Sequence, residues 1–417
     1  MTNPIATDSV GPAIPYRLAA DTFGAEEMRA AKAVLDSGQL TMNQQVRDFE
    51  SDFAEWVGMP QAVMVNSGSS ANLLMIDALL RSTSGAPRLL AGDEVIVPGL
   101  AWPTTVWPIA QLGLIPVFAD IDPTTLAIDL DSALEVIGPR TRAMFLIHPL
   151  GRALDMPKYR DFCRDHGLEL IEDCCESLGA HWMNAHVGSA GLAASFSFYF
   201  SHHLSTIEGG MVVTDDFDLA NDLRGLRAHG WVRDRADKDA WVAKYPGFDP
   251  RFLFTSVGYN VRPTEIQGAI GRVQLKRLDG MLVAREKRVR AVREWLSSSA
   301  PWLELIGSES LDVPTTENRR ERTNSWMVLP FRLGPDAPTD RDTVVAYLED
   351  HGVETRPIIA GNLARHPAID QVIHRCAAAM DACDAILRDT FMIGCHPVAS
   401  PASLITLERA VAGLAGF

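Results

Sequence analysis

The stretch SFSFYFSHHLSTIEGGMVVTDD (195–216) contains two adjacent histidines, His202 and His203, followed by a Glu–Gly–Gly segment. Its last part, GGMVVTDD (209–216), combines apolar and β-branched residues and predicts a strand. An imidazole has a reference pKa of about 6.5, so a histidine here can act as an acid and a base near neutrality. The stretch therefore places two titratable side chains shortly before a predicted strand.

Short apolar runs alternate with helical stretches upstream of this segment. AVMVNSGSSANLLMIDALL (62–80) predicts a strand, a tight turn and a helix, and further strands are predicted at 94–97, 115–122, 142–151 and 168–177. Strands composed almost wholly of Val, Ile, Leu and Phe are buried on both faces, which is typical of a parallel sheet covered by helices. We therefore predict a large α/β domain with a mostly parallel sheet.

The remaining sequence predicts a flexible or draping arm at residues 1–18 and a smaller C-terminal α/β domain. A charged helix begins near Leu275, and a strand (325–333), a helix (339–352) and a strand (353–357) follow it. We predict the large domain at 19–275, beginning with a helix from Ala25 to Leu35 that Gly38 closes, and the small domain at 276–417. The polar run TTENRRERTN (315–324) predicts a solvated loop.

The composition narrows the classes of partner. A net charge of -15 over 417 residues argues against nucleic acid or an anionic membrane as the main partner, because both reward clustered Lys and Arg. No apolar run of membrane-spanning length and no signal peptide is visible, so we expect a cytoplasmic protein. The six cysteines show neither a CxxC pair nor a zinc-like spacing, so we expect no metal site.

The motif NSGSSAN (66–72) follows a predicted strand and opens a predicted helix. The backbone N–H groups of Gly68, Ser69 and Ser70 can therefore meet an anion at the helix N-terminus, and the serines add hydroxyl donors. The alternative is an ordinary serine-rich helix cap.

Two further residues stand at the ends of predicted strands. Asp173 ends the strand LELIED, and the carboxyl ends of parallel strands open onto the ligand crevice, so its carboxylate can neutralise a cation such as a protonated pyridine nitrogen. The alternatives are a helix cap and a magnesium ligand. Trp102 follows another strand and can stack on a planar ring, with simple packing as the alternative.

Taken together in their order along the chain, the motif NSGSSAN, Trp102, Asp173 and the stretch 195–216 resemble the sugar aminotransferase family of fold-type-I pyridoxal-phosphate enzymes. This resemblance implies an aspartate-aminotransferase-like fold. In that family a segment of the form S-F-x-x-x-K-N-…-E-G-G supplies the Schiff-base lysine, and counting back from Glu208 its position falls on His202. The similarity begins near residue 16 and is also carried by EDCCESLGA (172–180), RAHGW (227–231), GYNVRPTEIQGAIG (258–271) and ETRPIIAGN (354–362).

Histidine cannot form a Schiff base, so the resemblance implies a non-covalently held pyridoxal phosphate whose aminated form, pyridoxamine phosphate, persists as a reagent. The chain is most similar to the family's nucleotide-sugar 3-dehydratases. That similarity implies removal of the C-3 hydroxyl of a nucleotide-linked 4-keto-6-deoxy sugar, with L-glutamate as amino donor and GDP-4-keto-6-deoxy-D-mannose as the expected substrate. Two alternatives stay open. The substrate can instead be a CDP-, dTDP- or UDP-linked sugar, or the chain can be a non-catalytic ligand-binding homologue.

A related group of dehydratases also carries this histidine but needs four downstream cysteines for an iron–sulfur cluster. No cysteine occurs here between Cys175 and Cys376, so we expect no cluster. For pyridoxal phosphate, the resemblance assigns the phosphate to Gly68, Ser69 and Ser197 and stacking on the ring to Trp102. It assigns the ring nitrogen to Asp173 and a further contact with the ring to Glu176.

The resemblance also assigns residues outside this cofactor set. Asn260 would reach the cofactor phosphate of the other subunit, which implies a homodimer with shared active sites. His229, Arg262 and Arg356 would contact the sugar or the carboxylate of the amino acid. For each arginine the alternative is a surface or interdomain salt bridge.

Overall fold

The computed structural model describes residues 16–83, 85, 88–312 and 321–417. Its helices are α1 (Ala25–Ser37), α2 (Gln44–Val57), α3 (Gly68–Leu80), α4 (Pro103–Gln111), α5 (Leu130–Val136), α6 (Met156–His166), α7 (Phe217–Leu226), α8 (Lys238–Lys244), α9 (Glu265–Ser299), α10 (Arg341–Asp350), α11 (Asp381–Asp389) and α12 (Pro401–Gly413). Its strands are β1 (Gln61–Val65), β2 (Glu94–Pro98), β3 (Ile115–Ala119), β4 (Thr141–Ile147), β5 (Glu169–Asp173), β6 (His181–Trp182), β7 (Ala185–His186), β8 (Ala193–Ser197), β9 (Gly210–Thr214), β10 (Leu303–Leu305), β11 (Val328–Leu333), β12 (Thr355–Arg356), β13 (Arg375–Cys376) and β14 (Thr390–Gly394).

An eight-stranded sheet with the order β1-β9-β8-β5-β4-β2-β3-β13 forms the centre of the molecule. The pairs from β8 through β5, β4, β2 and β3 to β13 are all parallel. Strand β9 runs antiparallel to both of its neighbours, β1 and β8. The predicted mostly parallel sheet is therefore confirmed, with one reversed strand near its edge.

Helices cover both faces of this sheet, as the apolar strands require. Strands β2, β8 and β9 are buried along their whole length. One hydrophobic cluster joins them to α3 and α4, and a second joins the opposite face to α2 and α9. The carboxyl ends of the parallel strands therefore open between these two layers, where a ligand crevice is expected.

A second sheet with the order β10-β11-β14-β12 is antiparallel throughout and packs against α10, α12 and the end of α9. Tyr16 is fully buried against it and donates a hydrogen bond from its hydroxyl to the carbonyl of Gly394 at 2.8 Å. The start of the described chain is thus fixed to the small sheet. Residues 1–15 of the predicted arm lie outside the described residues.

The two parts of the chain are interleaved. Helix α9 runs without a break across residue 275, and β13 from the C-terminal part pairs with β3 of the large sheet. The division of the chain at residues 18 and 275 stays a prediction. No helix in the described ranges is long and apolar enough to cross a membrane.

The segment 322–327, which we call the bridging segment, connects the two sheets. Its residues Arg322 and Asn324 are buried, and the carbonyls of Arg322 and Thr323 accept hydrogen bonds from the backbone N–H groups of His181 and Ala153. The predicted solvated loop is therefore wrong for residues 322–324, because protein groups rather than water satisfy this polar backbone. Residues 315–320 of that loop lie outside the described residues.

Candidate active site

A cradle of donors lies where β1 turns into α3. The Ser67 hydroxyl accepts from the Ser70 amide at 3.1 Å, so this part of the motif is a helix cap, as in the alternative reading. Gly68 and Ser69 are the first two residues of α3, where backbone amides have no acceptor within the helix. A Cβ added to Gly68 would lie 2.6 Å from the Cβ of Ser197, so glycine is needed for this approach. The amides of Gly68 and Ser69 and the hydroxyl of Ser197 therefore remain for an anion.

Asp173 lies at the end of β5 and is buried. One carboxylate oxygen accepts from Asn72 Nδ2 and from Thr105 Oγ1, each at 2.8 Å, and the other accepts from the Cys175 amide at 3.0 Å. Three hydrogen-bond donors therefore hold and orient this buried carboxylate. The site can therefore neutralise a cation such as a protonated ring nitrogen.

Asn72 and Thr105 were not predicted as site residues. Asn72 belongs to the motif NSGSSAN, which was a usable signal for it, whereas Thr105 in WPTT carries no such signal. Thr105 lies in the first turn of α4, and the preceding Trp102 leaves 56% of its side-chain surface exposed. The hydrogen bond from Thr105 thus connects α4, which Trp102 precedes, to Asp173. The exposed Trp102 can stack on a planar ring.

His202 is fixed by a backbone carbonyl. Its Nδ1 lies 2.8 Å from the carbonyl oxygen of Cys175, and because a carbonyl only accepts, Nδ1 carries the hydrogen. In the neutral ring Nε2 then holds the lone pair and can accept a proton. Burial lowers the pKa of His202 to about 4, so the ring is neutral at pH 7. The arrangement is that of a base.

The neighbouring His203 faces a different part of the molecule. It is buried, and its Nε2 lies 3.1 Å from the carbonyl oxygen of Ser325 in the bridging segment. Burial and the nearby Arg285 guanidinium hold the pKa of His203 well below its usual range. His203 therefore connects the segment around His202 to the bridging segment.

Glu176 is a second group poised near neutrality. Burial raises the pKa of Glu176 to about 7, and the charge of Asp173 acts in the same direction. The Leu150 amide donates to one oxygen of Glu176 at 3.0 Å. The carboxyl group can therefore hold or release a proton close to physiological pH.

We expect the His202 ring in cofactor-free protein to stay neutral from pH 8 down to about pH 5, because its pKa is lowered to about 4. NMR of the protein with isotope-labelled histidine tests this, and the signal missing in His202→Asn identifies the residue. The nitrogen shifts should also place the hydrogen on Nδ1. A titration midpoint near pH 6.5 for that signal would contradict the half-buried, carbonyl-bound geometry.

His229, Asn260 and Arg262 lie together on an exposed ribbon. Ala228 and Asn260 form a backbone bridge, and the His229 amide donates to the Tyr259 carbonyl at 2.6 Å. Arg262 Nε donates to Asn260 Oδ1 at 3.1 Å and orients the amide. Within the described ranges of this single chain, none of the three hydrogen-bonds to Asp173, His202 or the cradle.

Arg356 is placed apart from both groups. It lies in β12 of the small sheet, paired with Met392, and its side chain is exposed. The structure therefore links Gly68 with Ser197, and Asp173 with α4, which Trp102 precedes, and with Cys175, whose carbonyl holds His202. Ser69 and Glu176 follow Gly68 and Cys175 directly in the chain, whereas the ribbon residues form a separate group and Arg356 lies on the small sheet.

A buried group of potential metal ligands lies beside β5. His148, Glu172 and Cys174 offer ligand atoms within 4.8 Å of one another. The Glu172 carboxylate already accepts from His148 Nε2 at 2.8 Å and from the amides of Gly188, Ala190 and Gly191. These bonds give the group a structural role, and the absence of a metal site stays a prediction.

The comparison with known families decides the relationship. Residues 21–411 match the model of the DegT/DnrJ/EryC1/StrS aminotransferase family. The chain belongs to this family. The predicted membership of the sugar aminotransferases is thereby confirmed.

Individual DegT/DnrJ/EryC1/StrS relatives match over nearly their full lengths. GDP-4-keto-6-deoxy-D-mannose 3-dehydratase of Yersinia pseudotuberculosis is 37% identical over 85% of this chain and 87% of its own. The E. coli GDP-4-keto-6-deoxy-D-mannose-3-dehydratase with bound hydrated pyridoxal phosphate is 34% identical, with a TM-score of 0.86 over 96% of this chain and 100% of that one. A histidine-to-asparagine variant of such a dehydratase with bound GDP-perosamine is 34% identical, with a TM-score of 0.85 over 95% and 100% of the two chains. The predicted aspartate-aminotransferase-like fold is confirmed.

Proposed function

We propose that this chain is a pyridoxal-phosphate- and pyridoxamine-phosphate-dependent dehydratase. It removes the C-3 hydroxyl of a nucleotide-linked 4-keto-6-deoxy sugar, with GDP-4-keto-6-deoxy-D-mannose as the first candidate substrate and L-glutamate as amino donor. The product is a 4-keto-3,6-dideoxy sugar, of the kind used to make colitose for a lipopolysaccharide O-antigen. A nucleotide-sugar substrate favours a cytoplasmic setting.

The observation that carries this proposal is His202. It stands where the family's aminotransferases have their cofactor lysine, and its Nδ1 is committed to the Cys175 carbonyl. The segment therefore offers a proton acceptor where an aminotransferase offers an amine. The three dehydratases with which the chain shares 34% to 37% identity, one of which is described with bound hydrated pyridoxal phosphate, support the same reaction class.

The residues around the crevice fit the cofactor. The amides of Gly68 and Ser69 and the hydroxyl of Ser197 suit its phosphate, and the close approach of Gly68 to Ser197 leaves room only for glycine. The buried Asp173 carboxylate suits a protonated ring nitrogen, and the exposed Trp102 suits the ring face. When bound, the cofactor supplies an amine that condenses with the sugar ketone and a conjugated ring that relays electrons towards C-3.

The protein's own part in this reaction is proton transfer and orientation. His202 Nε2 accepts a proton from the carbon that the ring activates, and the hydrogen bond from Nδ1 to Cys175 keeps that lone pair available. Glu176, with its pKa raised to about 7 by burial, would hold or release a proton near the bound cofactor. Asp173 would hold the protonated ring nitrogen of the cofactor, which would make the ring electron-withdrawing.

We also propose that the active unit is a homodimer with shared sites. Asn260 is exposed on its ribbon, and Arg262 leaves the amide nitrogen of Asn260 available for another chain. Tyr199, Phe200 and Ile207, which flank His202 in sequence, expose 47%, 40% and 56% of their surfaces. Apolar groups exposed beside a catalytic segment favour an interface there.

Treatment of the pyridoxal-phosphate-loaded protein with borohydride should leave the polypeptide mass unchanged, because no lysine lies at the position of His202 to bind the cofactor covalently. Denaturing mass spectrometry provides the measurement. The His202→Lys variant serves as the matched control and should gain the mass of a phosphopyridoxyl group. An adduct on any lysine of the wild-type chain would contradict non-covalent binding.

Product analysis tests the reaction itself. Incubation with L-glutamate and a panel of GDP-, CDP-, dTDP- and UDP-linked 4-keto-6-deoxy sugars should yield 2-oxoglutarate, ammonia and a 3-deoxygenated sugar, with GDP preferred. A 4-amino sugar as the main product would instead assign the chain to the aminotransferases. No turnover with any member, while pyridoxal phosphate still binds, would favour a ligand-binding homologue.

A further inference from the structure

Two segments with unusual backbone conformations meet next to Glu176. The turn Pro149–Gly151 follows β4, and its residue Leu150 has φ 56° and ψ 19°. Trp326 in the bridging segment has φ 53° and is buried. The left-handed region is costly for a residue other than glycine, so the surrounding structure must hold both residues in place. Backbone strain of this kind is concentrated at functional sites.

Backbone hydrogen bonds join the turn to the bridging segment. The Ser325 amide donates to the Gly151 carbonyl at 2.7 Å. The Met327 amide donates to the Leu150 carbonyl at 3.1 Å. Gly151 has φ 105°, and a Cβ added to it would lie 2.5 Å from the backbone nitrogen of Trp326. The two segments therefore approach so closely that only glycine fits at position 151.

The amides of the same turn hold Glu176 and the residue that follows it. The Leu150 amide donates to Glu176 Oε2 at 3.0 Å. The Gly151 amide donates to Ser177 Oγ at 3.1 Å, and this hydroxyl donates to the His148 carbonyl. The turn thus accepts hydrogen bonds from the bridging segment and donates hydrogen bonds to Glu176 and Ser177. A shift of the bridging segment would therefore move the donor that Glu176 uses.

Arg285 of α9 fixes the bridging segment at its junction with the small sheet. Its side chain is buried, and its Nη1 donates to the carbonyls of Trp326 at 3.1 Å, of Met327 at 3.0 Å and of Cys395. Met327 precedes β11 and Cys395 follows β14, so one guanidinium holds the backbone of two neighbouring strands at the same edge. Burial of a guanidinium costs free energy, and its acceptors among the described residues are backbone carbonyls. The group therefore serves a particular backbone geometry.

We propose that the bridging segment is the positioning element for Glu176 and that Arg285 is the positioning residue that holds it there. Arg285 keeps the segment on the turn, and the turn presents the Leu150 amide to the carboxylate. That amide favours the charged form of Glu176. Burial and the charge of Asp173 act in the opposite direction, so without the amide the pKa of Glu176 would rise above its value of about 7. Only the use of this proton in dehydration rests on the proposed function.

Infrared titration of the full-length, cofactor-free protein tests this link without using activity. The absorption of the protonated carboxyl group that disappears in Glu176→Gln reports Glu176, and its midpoint in the wild type should lie at about pH 7. Arg285→Lys keeps the charge but lacks the planar guanidinium, so the midpoint should rise by about one pH unit. Gly151→Ala, whose Cβ displaces the bridging segment, should raise the midpoint by a similar amount.

A matched control and a milder variant complete the titration. Gly167→Ala is the control, because Gly167 ends α6 with φ 65° and an added Cβ would meet no atom of the described residues within 4 Å. This variant carries the same kind of backbone strain without touching the turn, so its midpoint should equal that of the wild type. Ser325→Ala removes only the hydroxyl that donates to the Gly151 carbonyl at 3.2 Å, so it should fold normally and give a smaller rise. An unchanged midpoint in every folded variant among Arg285→Lys, Gly151→Ala and Ser325→Ala would overturn the proposal.

The pH profile of dehydration separates positioning from a general loss of structure. If the proposed function holds, the limb of the profile that Glu176 governs should move to higher pH in Gly151→Ala by the same amount as the infrared midpoint. A lower rate with an unmoved limb would overturn the link to catalysis. The infrared result decides the positioning of Glu176 even if the chain is inactive on every nucleotide sugar, so the two proposals fail separately.

Discussion

His202→Asn is expected to lower the rate of dehydration by about 10²–10⁴-fold, the usual contribution of a general base. Asparagine can still donate a hydrogen bond to the Cys175 carbonyl, so the fold and cofactor binding should be retained, but its amide cannot take up a proton at neutral pH. Steady-state release of 2-oxoglutarate and of the deoxygenated sugar gives the rate, and cofactor absorbance gives the occupancy.

His203→Gln is the matched control for this experiment. The glutamine amide can replace the hydrogen bond from His203 to the Ser325 carbonyl, and the proposed base is untouched, so dehydration should stay within a few-fold of wild type. His202→Lys should also lose dehydration, because the lysine attaches the cofactor covalently. Near-normal dehydration by His202→Asn would assign the base to another group, with Glu176 as the first to examine.

Mixing inactive His202→Asn with inactive Asn260→Asp subunits is expected to restore activity. If Asn260 contributes to the neighbouring subunit's site, one site of each hybrid dimer contains both substitutions and the other site contains neither. Random exchange makes about half of the dimers hybrid, each with one intact site, so about a quarter of wild-type activity should return. The aspartate is chosen because its charge repels a phosphate while Arg262 can still orient it.

Differently tagged subunits allow the hybrids to be isolated and counted. Each parent protein alone, taken through the same exchange, provides the control and should stay inactive. Isolated hybrids without activity would mean that Asn260 serves its own chain. In that case the exposed side chains around His202 would need another explanation than a shared site.

The large sheet was predictable because its strands are apolar on both faces. Helix α1 was predicted from Ala25 with Gly38 as its end, and Gly38 has the left-handed conformation that such an end requires. The antiparallel direction of β9 was not predictable, because an apolar run reads the same in either direction. Sequence composition therefore gave the layers of the fold but not the reversal beside β1.

The candidate site divides in the same way. Asp173 and Gly68 were predicted because their positions at strand and helix ends determine what they can contact. The hydrogen bond from His202 to the Cys175 carbonyl was not predictable, because every residue carries a backbone carbonyl and the sequence does not indicate which one accepts a given hydrogen bond. The buried state of Arg322 was also missed, because a polar residue looks alike whether water or the backbone satisfies it.

The acceptor that fixes His202 is the backbone of Cys175, and this has an evolutionary consequence. A catalytic histidine held by a carboxylate needs that partner residue to be inherited with it. Here any residue at position 175 keeps the carbonyl, so drift at that position leaves the imidazole in the same form. If His202 is the base as proposed, selection among related chains should therefore preserve the residue at position 202 and the backbone path after β5, and not the identity of a partner side chain.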